Sequence, residues 1–204
     1  CSSQSKWGQN TGLTLLLPHG FEGMGPNHSS GHLERFLSLS SQNNITIANC
    51  TNTSQYFHLL RQQGLTPPNE KKPLVIMTPK SLLRHPLSSS SLEEILEGKF
   101  SPVLETRKEN IDQINKIIIC SGKISIEFLY KDSEKLLKNS VLIRLEQLYP
   151  FPEKIFKDII SKYKNVKKII WLQEEPKNRG AWQYISDTIS PIVKNLKFVE
   201  RNFS

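Results

Sequence analysis

Two histidines in a glycine-rich stretch are the residues of this sequence best suited to acid–base chemistry. The stretch LLPHGFEGMGPNHSSGHLERF, residues 16–36, contains His19, His28 and four glycines before His32. An imidazole changes its charge near neutral pH and can accept or donate a proton. Glycine allows the backbone to approach a ligand closely. Such a loop could hold a carboxylate and move a proton, or its histidines could merely cap loop backbone.

Residues 80–86, KSLLRHP, are a second candidate for ligand binding. They follow an apolar run and carry Lys80, Arg84 and His85. Two cations and an imidazole at the end of a strand suit a phosphate or a carboxylate. A solvated end of a domain is the alternative interpretation of the same pattern.

Glu174 and Glu175 are a third candidate, since paired carboxylates after an apolar run can act as acid–base groups. Ordinary ion pairs with Lys177 or Arg179 are the alternative. The chain has no Walker loop, GxGxxG after a strand, HExxH or GxSxG motif. We therefore expect no metal site built by this chain itself.

Short apolar runs alternate with segments of helical periodicity, which predicts strands followed by helices. We predict strands at residues 13–17, 45–48, 74–77, 117–120, 141–145, 168–172 and 198–199. We predict helices from residue 33 and over residues 53–63, 92–96, 125–137, 152–163 and 181–189. Ser29 or Ser30 would cap the helix that begins at Leu33, and Thr53 would cap the next one.

The alternation predicts an α/β protein with two parallel-sheet units, because buried strands between helices are typical of parallel sheets covered on both sides. The pattern lapses over residues 84–114, which contain a serine run and a charged stretch. We therefore predict units at residues 1–88 and 116–204 and an interdomain linker at 89–115. Loops at the carboxyl ends of parallel strands carry function, so we expect His28 there, at a helix N-terminus that offers free N–H groups.

The net charge of +8 lies mainly in residues 113–204, as lysines spread along the predicted helices. A nucleic-acid site would more often show clustered arginine with interleaved aromatic residues, so we expect no nucleic acid as partner. A solvated face or a docking surface for an acidic partner fits this charge. The chain has no run of 18 apolar residues, so we expect no membrane span. The three cysteines are widely spaced and fit reduced thiols.

Five blocks of the sequence carry a resemblance to a known family. They are PHGFEGMGPNHSSGHLERF, VIMTPKSLLRHPL, IIICSGKI, IRLEQLYPFP and WLQEEPKNRGAW, in this order along the chain. Together they resemble the C-terminal part of the 2-oxoglutarate dehydrogenase E1 family, and the resemblance covers nearly the whole chain.

The resemblance implies a transketolase-like build and dependence on thiamine diphosphate and Mg²⁺. Residues 1–88 would be the later part of the pyrimidine-binding domain, and residues 116–204 the transketolase C-terminal domain. The implied reaction is oxidative decarboxylation of 2-oxoglutarate in the tricarboxylic acid cycle, with transfer of the succinyl group to the lipoyl arm of the E2 succinyltransferase. The implied assembly is a homodimer, in a bacterial cytoplasm or, alternatively, a mitochondrial matrix.

The resemblance also implies site residues. His28 matches the histidine of the family's HSS motif and would be catalytic and bind substrate together with Ser29. His19 matches the family's PHG and would be a second catalytic residue. His32 stands where the family usually has arginine, which removes a fixed cation and puts any anion-binding role of that position in doubt.

The resemblance is incomplete in one respect that matters for activity. The family's GDG motif for Mg²⁺ and the diphosphate, and its glutamate that activates the aminopyrimidine, do not occur in these residues. The chain begins at Cys1 rather than Met, so we expect a fragment that cannot turn over substrate alone. A related E1 acting on 2-oxoadipate and a truncated, non-catalytic binding module remain alternatives.

Overall fold

The computed structural model describes residues 3–20, 25–106 and 110–200, without the side chains of residues 131–136. Helices and strands alternate along most of the chain. The helices are α1 (Ser3–Trp7), α2 (Leu33–Ser38), α3 (Thr53–Leu65), α4 (Leu92–Leu96), α5 (Lys123–Leu136), α6 (Glu153–Ser161) and α7 (Trp182–Ile189). The strands are β1 (Thr14–Leu17), β2 (Thr46–Ala48), β3 (Leu74–Met77), β4 (Val103–Glu105), β5 (Lys116–Cys120), β6 (Ser140–Leu145), β7 (Gln147–Tyr149), β8 (Lys168–Gln173) and β9 (Leu196–Glu200).

The first sheet has the strand order β1-β3-β2-β7. Its first three strands are parallel, and β3 lies between β1 and β2, with Val75 opposite both Leu15 and Ile47. All four residues of β3 are buried. A strand that is apolar at every position can be covered on both faces, as the sequence predicts for a parallel sheet.

The second sheet has the order β4-β6-β5-β8-β9, in which β6, β5, β8 and β9 are parallel. Two sheets dominated by parallel strands confirm the predicted α/β class. Among the described residues, no helix combines the length and the apolar character needed to cross a bilayer.

Two strands were not predicted, and each lies where the sequence suggests something else. β4 falls inside the segment 89–115 expected to be a linker and pairs antiparallel with β6. β7 follows β6 closely in sequence but joins the first sheet, antiparallel to β2. Each is three residues long, too short for an alternating pattern, so only the pairing partner reveals it. The boundaries 1–88, 89–115 and 116–204 stay a prediction.

The predicted cap of α3 is wrong by one residue. Asn52, not Thr53, is the N-cap, and its side-chain oxygen accepts a hydrogen bond from the N–H of Gln55 at 2.9 Å. The Thr53 hydroxyl instead donates to the carbonyl of Ser88 at 3.0 Å. Asparagine and threonine both make good caps, so a long-range contact decided between them.

One cluster of buried apolar residues joins the two units. It contains Leu33, Ile47 and Val75 from the first unit together with Ile117 and Trp171 from the second. Burying one such side chain contributes about 1.5–3 kcal/mol. The many residues shared in this core therefore keep the loops of the two units in one arrangement.

Candidate functional site

An open cavity of about 620 Å³ lies at the carboxyl ends of the first three parallel strands. Leu16 of β1, Met77 of β3 and Cys50, which follows β2, contribute to its wall. The other lining residues come from the segments after these strands and are His28, Thr51, Asn52, Thr53, Tyr56, Thr78, Pro79, Lys80, Leu82, Leu83 and Ser88. A mostly apolar wall with a few polar groups is typical of sites for small molecules.

His28 reaches this cavity from a short 3₁₀ turn, Pro26–His28, rather than from a helix N-terminus. Gly25 precedes the turn with φ 99°, and its carbonyl accepts the N–H of His28 at 3.2 Å. A positive φ of this size favours glycine. The expected cap at Ser29 or Ser30 is wrong, because α2 begins five residues after His28 and its N-cap is His32, without a side-chain cap bond.

Close packing of Gly31 explains why the helix begins late. Its N–H donates to the carbonyl of Pro18 at 2.6 Å, and a Cβ at this position would lie only 2.6 Å from the same oxygen. Gly31 is therefore held against the segment after β1, and α2 begins two residues later. His28 therefore does not lie at the N-terminus of α2, and the predicted support from a helix dipole is wrong.

Of the other residues predicted to bind a ligand, Lys80 is among the described lining residues of the cavity, whereas Ser29 and His85 are not. Lys80 lines the cavity at the start of a 3₁₀ turn, while His85 accepts the N–H of Leu87 at 3.2 Å and stacks edge-on against Tyr130. Ser29 is half-buried, and its N–H donates to Pro26. Among the described residues that line the cavity, neither Ser29 nor His85 appears. The substrate-binding role predicted for Ser29 stays a prediction.

His19 lies outside the described lining of the cavity and is buried, with 8% of its surface exposed. Its Nδ1 is 2.7 Å from the carbonyl oxygen of Gly31, and its Nε2 is 2.7 Å from Oε1 of Glu175. Burial alone would lower the pKa of His19. The hydrogen bond and the charge of Glu175, together with the Gly31 carbonyl, outweigh burial and raise it. Of the two histidines, His28 is among the described lining residues and His19 is not, and the catalytic role predicted for His19 stays a prediction.

The carboxylates Glu174 and Glu175 make ion pairs with residues that are distant in sequence. Glu174 lies 3.0 Å from Nζ of Lys123, and Glu175 pairs with His19. The partners expected from sequence, Lys177 and Arg179, are exposed. Burial raises the pKa of the Glu175 carboxyl, but the hydrogen bond and charge of His19 outweigh it, so this pKa is lowered.

Gln173 and Gly180 shape the loop that carries this carboxylate pair. The side-chain amide of Gln173 donates to the carbonyl oxygens of Glu175 and Arg179 at 3.0 and 2.9 Å. Gly180 has φ 66°, and a Cβ there would lie 2.7 Å from Oε2 of Glu175. The N–H of Gly180 donates to Oε2 of Glu34 at 3.0 Å. The loop after β8 therefore contacts His19, in the segment after β1, and Glu34, in the first turn of α2.

A buried polar network behind the cavity wall was missed at the sequence level. Glu146 is fully buried, and its two carboxylate oxygens accept the N–H and the hydroxyl of Thr51. Arg144 donates to the same hydroxyl at 3.0 Å. Burial raises the pKa of Glu146, although Arg144 and Thr51 oppose it. The available signal was an arginine and a glutamate within VLIRLEQLY, a mostly apolar run.

The side chains that line the cavity indicate whether it can hold a metal ion or an organic group. Of the described residues that line the cavity, none carries a carboxylate. Within the same described ranges, no group of three or more His, Cys, Asp or Glu residues could hold a metal ion. The cavity therefore offers an aromatic ring, aliphatic side chains and hydroxyl groups, which suit a planar organic group better than a metal.

Two family models match the chain in the same order as its two units. The transketolase pyrimidine-binding domain model matches residues 1–86. The 2-oxoglutarate dehydrogenase C-terminal model matches residues 89–204, more than half of the chain. All lining residues of the cavity except Ser88 lie in the part that matches the pyrimidine-binding model.

Bacterial relatives agree with these matches, and each carries the name 2-oxoglutarate dehydrogenase E1 component. One from Geobacillus sp. WCH70 is 49% identical over 199 residues, 94% of this chain and 20% of the relative. One from Bacillus subtilis 168 is 46% identical over 94% of this chain and 21% of the relative. One from Shouchella clausii is 43% identical over 99% of this chain and 22% of the relative. The chain spans about a fifth of the length of these relatives. It belongs to the 2-oxoglutarate dehydrogenase E1 family.

Proposed function

We propose that these residues contribute one wall of the active site of a 2-oxoglutarate dehydrogenase E1 enzyme. The proposed reaction is the decarboxylation of 2-oxoglutarate with thiamine diphosphate, followed by transfer of the succinyl group to the lipoyl arm of E2. The observation that carries the proposal is the position of His28 in the cavity, at the strand ends of the unit that matches a pyrimidine-binding domain.

The cavity fits the organic part of thiamine diphosphate. Tyr56, Met77 and Leu82 contribute apolar surface against which an aromatic ring would pack, and Thr78 contributes a hydroxyl group to the same cavity. When bound, the cofactor supplies the electron sink for decarboxylation. The carboxylate that would protonate its pyrimidine is not among the described lining residues, and we propose that it comes from elsewhere in the full-length polypeptide. The same holds for the groups that bind Mg²⁺ and the diphosphate.

His28 and Lys80 are the groups of this wall that could act on the substrate. We propose that His28 binds a substrate carboxylate and exchanges a proton with the reacting carbon, because imidazole can serve as donor and acceptor at neutral pH. Lys80 supplies a positive charge to the same cavity, which suits a dicarboxylic acid. Ser29 would help through its hydroxyl group.

The remaining parts of the proposal rest on the family alone. We propose a homodimer that works with the lipoyl domain of the E2 succinyltransferase. The relatives are bacterial, so we propose a bacterial cytoplasm as the location, with a mitochondrial matrix as the alternative.

The experiment uses the full-length polypeptide, meaning the native chain that contains residues 1–204. It would be assayed for carbon dioxide release from 2-oxoglutarate with thiamine diphosphate and Mg²⁺. The variant His28→Asn should lose activity by about 10²–10⁴-fold, the usual contribution of a positioned acid–base group. Ser30→Ala is the matched control, because Ser30 is exposed two residues away, and it should keep wild-type activity.

Three outcomes would change the proposal. Full activity of His28→Asn would remove the role of His28. Faster turnover of 2-oxoadipate than of 2-oxoglutarate would assign the enzyme to the longer substrate. A full-length polypeptide without any decarboxylase activity would favour a non-catalytic binding module.

A further inference from the structure

The two ring nitrogens of His19 both face hydrogen-bond acceptors. The carbonyl oxygen of Gly31 lies 2.7 Å from Nδ1, and a carboxylate oxygen of Glu175 lies 2.7 Å from Nε2. A neutral imidazole has one N–H and can satisfy only one of these acceptors, whereas the imidazolium donates to both. The geometry thus requires the protonated ring for a complete set of hydrogen bonds.

This ring closes the loop that carries His28. Pro18 and Gly31 are joined by a backbone hydrogen bond of 2.6 Å, and His19 adds a second link to Gly31. His28 lies inside the closed segment, three residues before Gly31. From the second unit, Glu175 pairs with His19 while the N–H of Gly180 donates to Glu34.

We propose that His19 and Glu175 form a positioning pair that fixes the His28 loop against the loop after β8, so that protonation of His19 governs how His28 is placed in the cavity. This inference rests on the proposed function of His28. The inference assigns no contact with substrate or cofactor to His19 itself, because both of its ring nitrogens already have hydrogen-bond partners, Gly31 and Glu175.

The charged groups around His19 favour the imidazolium. Glu175 and, more remotely, Glu174 act on it from the loop after β8, and Glu174 is itself paired with Lys123 of α5 at 3.0 Å. From α2, Glu34 lies 3.5 Å from the ring of His32. One carboxylate thus contacts the buried imidazole directly, and a second acts on it only through its charge.

The sign of the pH effect follows from the raised pKa of His19. A histidine whose pKa is raised in the folded state contributes its stabilisation fully below its ordinary value of 6.5. That contribution is lost as the pH rises through the raised value. We therefore expect turnover to decline on the alkaline side as His19 loses its proton and the His28 loop loosens.

The experiment compares two variants of Glu175 in the full-length polypeptide, one that removes the charge but keeps the shape and one that keeps the charge but shortens the side chain. Glu175→Gln should lower kcat by about 10–100-fold, as expected for a misplaced catalytic group, and should move the alkaline decline to lower pH. Glu175→Asp keeps the charge and should leave the decline near its wild-type position. His19→Gln should remove the decline attributed to this ring. Glu153→Gln is the control, because it breaks an ion pair of similar type that is more than half exposed on α6.

Hydrogen exchange gives a readout that does not depend on catalysis. At neutral pH, Glu175→Gln should speed exchange in peptides that cover residues 25–35, with no change in α3. If that variant does not fold, hydrogen exchange of the wild-type polypeptide tests the proposal by itself. Its exchange over residues 25–35 should rise with pH more steeply than exchange over α3, and equal slopes would overturn the proposal.

A merely structural pair would give a different pattern. Equal losses of kcat in Glu175→Gln and Glu175→Asp, with the alkaline decline unmoved in both, would overturn the positioning role. If His28→Asn stays active while the exchange data change as expected, the proposed function fails but the loop-fixing pair stands. If His28→Asn is inactive while exchange in the loop is unaffected, the loop-fixing pair fails but the proposed function stands.

Discussion

The N–H of Thr51 donates to Oε2 of Glu146 at 2.8 Å, so a fully buried carboxylate between β6 and β7 holds a residue that lines the cavity of the first unit. The Thr51 hydroxyl donates to the other oxygen of the same carboxylate.

Replacement of Glu146 by leucine should destabilise the structure around the cavity by about 1–3 kcal/mol for each buried donor left unpaired, since the N–H and the hydroxyl of Thr51 lose their acceptor. Replacement by glutamine should cost less than about 1.5 kcal/mol, because the amide oxygen still accepts one hydrogen bond. Native-state hydrogen exchange at Thr51 would measure both local opening energies. Equal losses in the two variants would contradict this account of the network.

The same carboxyl group predicts a pH effect. Burial raises the pKa of Glu146 above its ordinary value of 4.5. Its contribution to stability is therefore complete below that value and is lost as the pH rises through the raised pKa. Glu146→Gln cannot titrate, so the local opening energy at Thr51 should depend less on pH in this variant than in the wild type.

Gly180→Ala should weaken the contact between the two loops. A side chain at φ 66° is strained, and the added Cβ would lie 2.7 Å from Oε2 of Glu175. We expect a loss of about 1–3 kcal/mol, typical of backbone strain in this region. Hydrogen exchange over residues 173–185 would measure it.

Gly64→Ala is the matched control for Gly180→Ala. Gly64 lies in α3, where an added Cβ meets nothing within 4 Å. Alanine is the better helix former, so the substitution should stabilise α3 by about 0.5–1 kcal/mol. A stabilising effect at both positions would contradict the steric argument at Gly180.

Acid should weaken the pair of His19 and Glu175 through its carboxylate. The pKa of Glu175 is lowered in the folded state, so its contribution is present above the ordinary value of 4.5 and is lost as the pH falls through the lowered value. Between pH 4.5 and the lowered pKa, the free energy of unfolding should change with pH less in Glu175→Gln than in the wild type. Thermal unfolding across that range would show the difference, and parallel curves would count against it.

The thiols of Cys50 and Cys120 should resist alkylation. Burial raises the pKa of Cys120 to about 12 and raises that of Cys50 well above its ordinary value. Because the thiolate is the reactive form, iodoacetamide at pH 8 should label both residues at least about 100-fold more slowly in the folded protein than in urea. Peptide mass spectrometry would measure each rate. Rapid labelling of Cys50 would show that its place in the cavity wall outweighs its high pKa.

Most helices and the apolar strands could be predicted because their signals are local. Residues 74–77 and 92–96 have the bounds that their patterns indicate, since an apolar run or a capped amphipathic turn is visible within a few residues. β4 and β7 could not be predicted, because three residues take strand form only through pairing with β6 and β2. The N-cap of α2 could not be predicted for a related reason. The N–H of Gly31 donates to the carbonyl of Pro18, a contact between residues that are distant in sequence.

The types of residue at the candidate site could be predicted from the sequence, but their grouping could not. The glycine-rich composition indicated a functional loop around His28, and the structure puts His28 in a cavity. Nothing local to His19 indicates that its partner is Glu175, which lies 156 positions later. Glu175 pairs with His19, which the fold brings close, and not with the cations near it in sequence.

The crossing of β7 into the first sheet has a consequence for how the chain can be divided. β2 lies between β3 and β7, so a piece that ended near residue 88 would expose the backbone donors and acceptors of β2 along one side. An open edge of this kind recruits strands from neighbouring molecules. Attempts to express the first unit alone should therefore yield aggregates or strand-exchanged dimers, and an excised segment around residues 147–149, added back in trans, should compete with them.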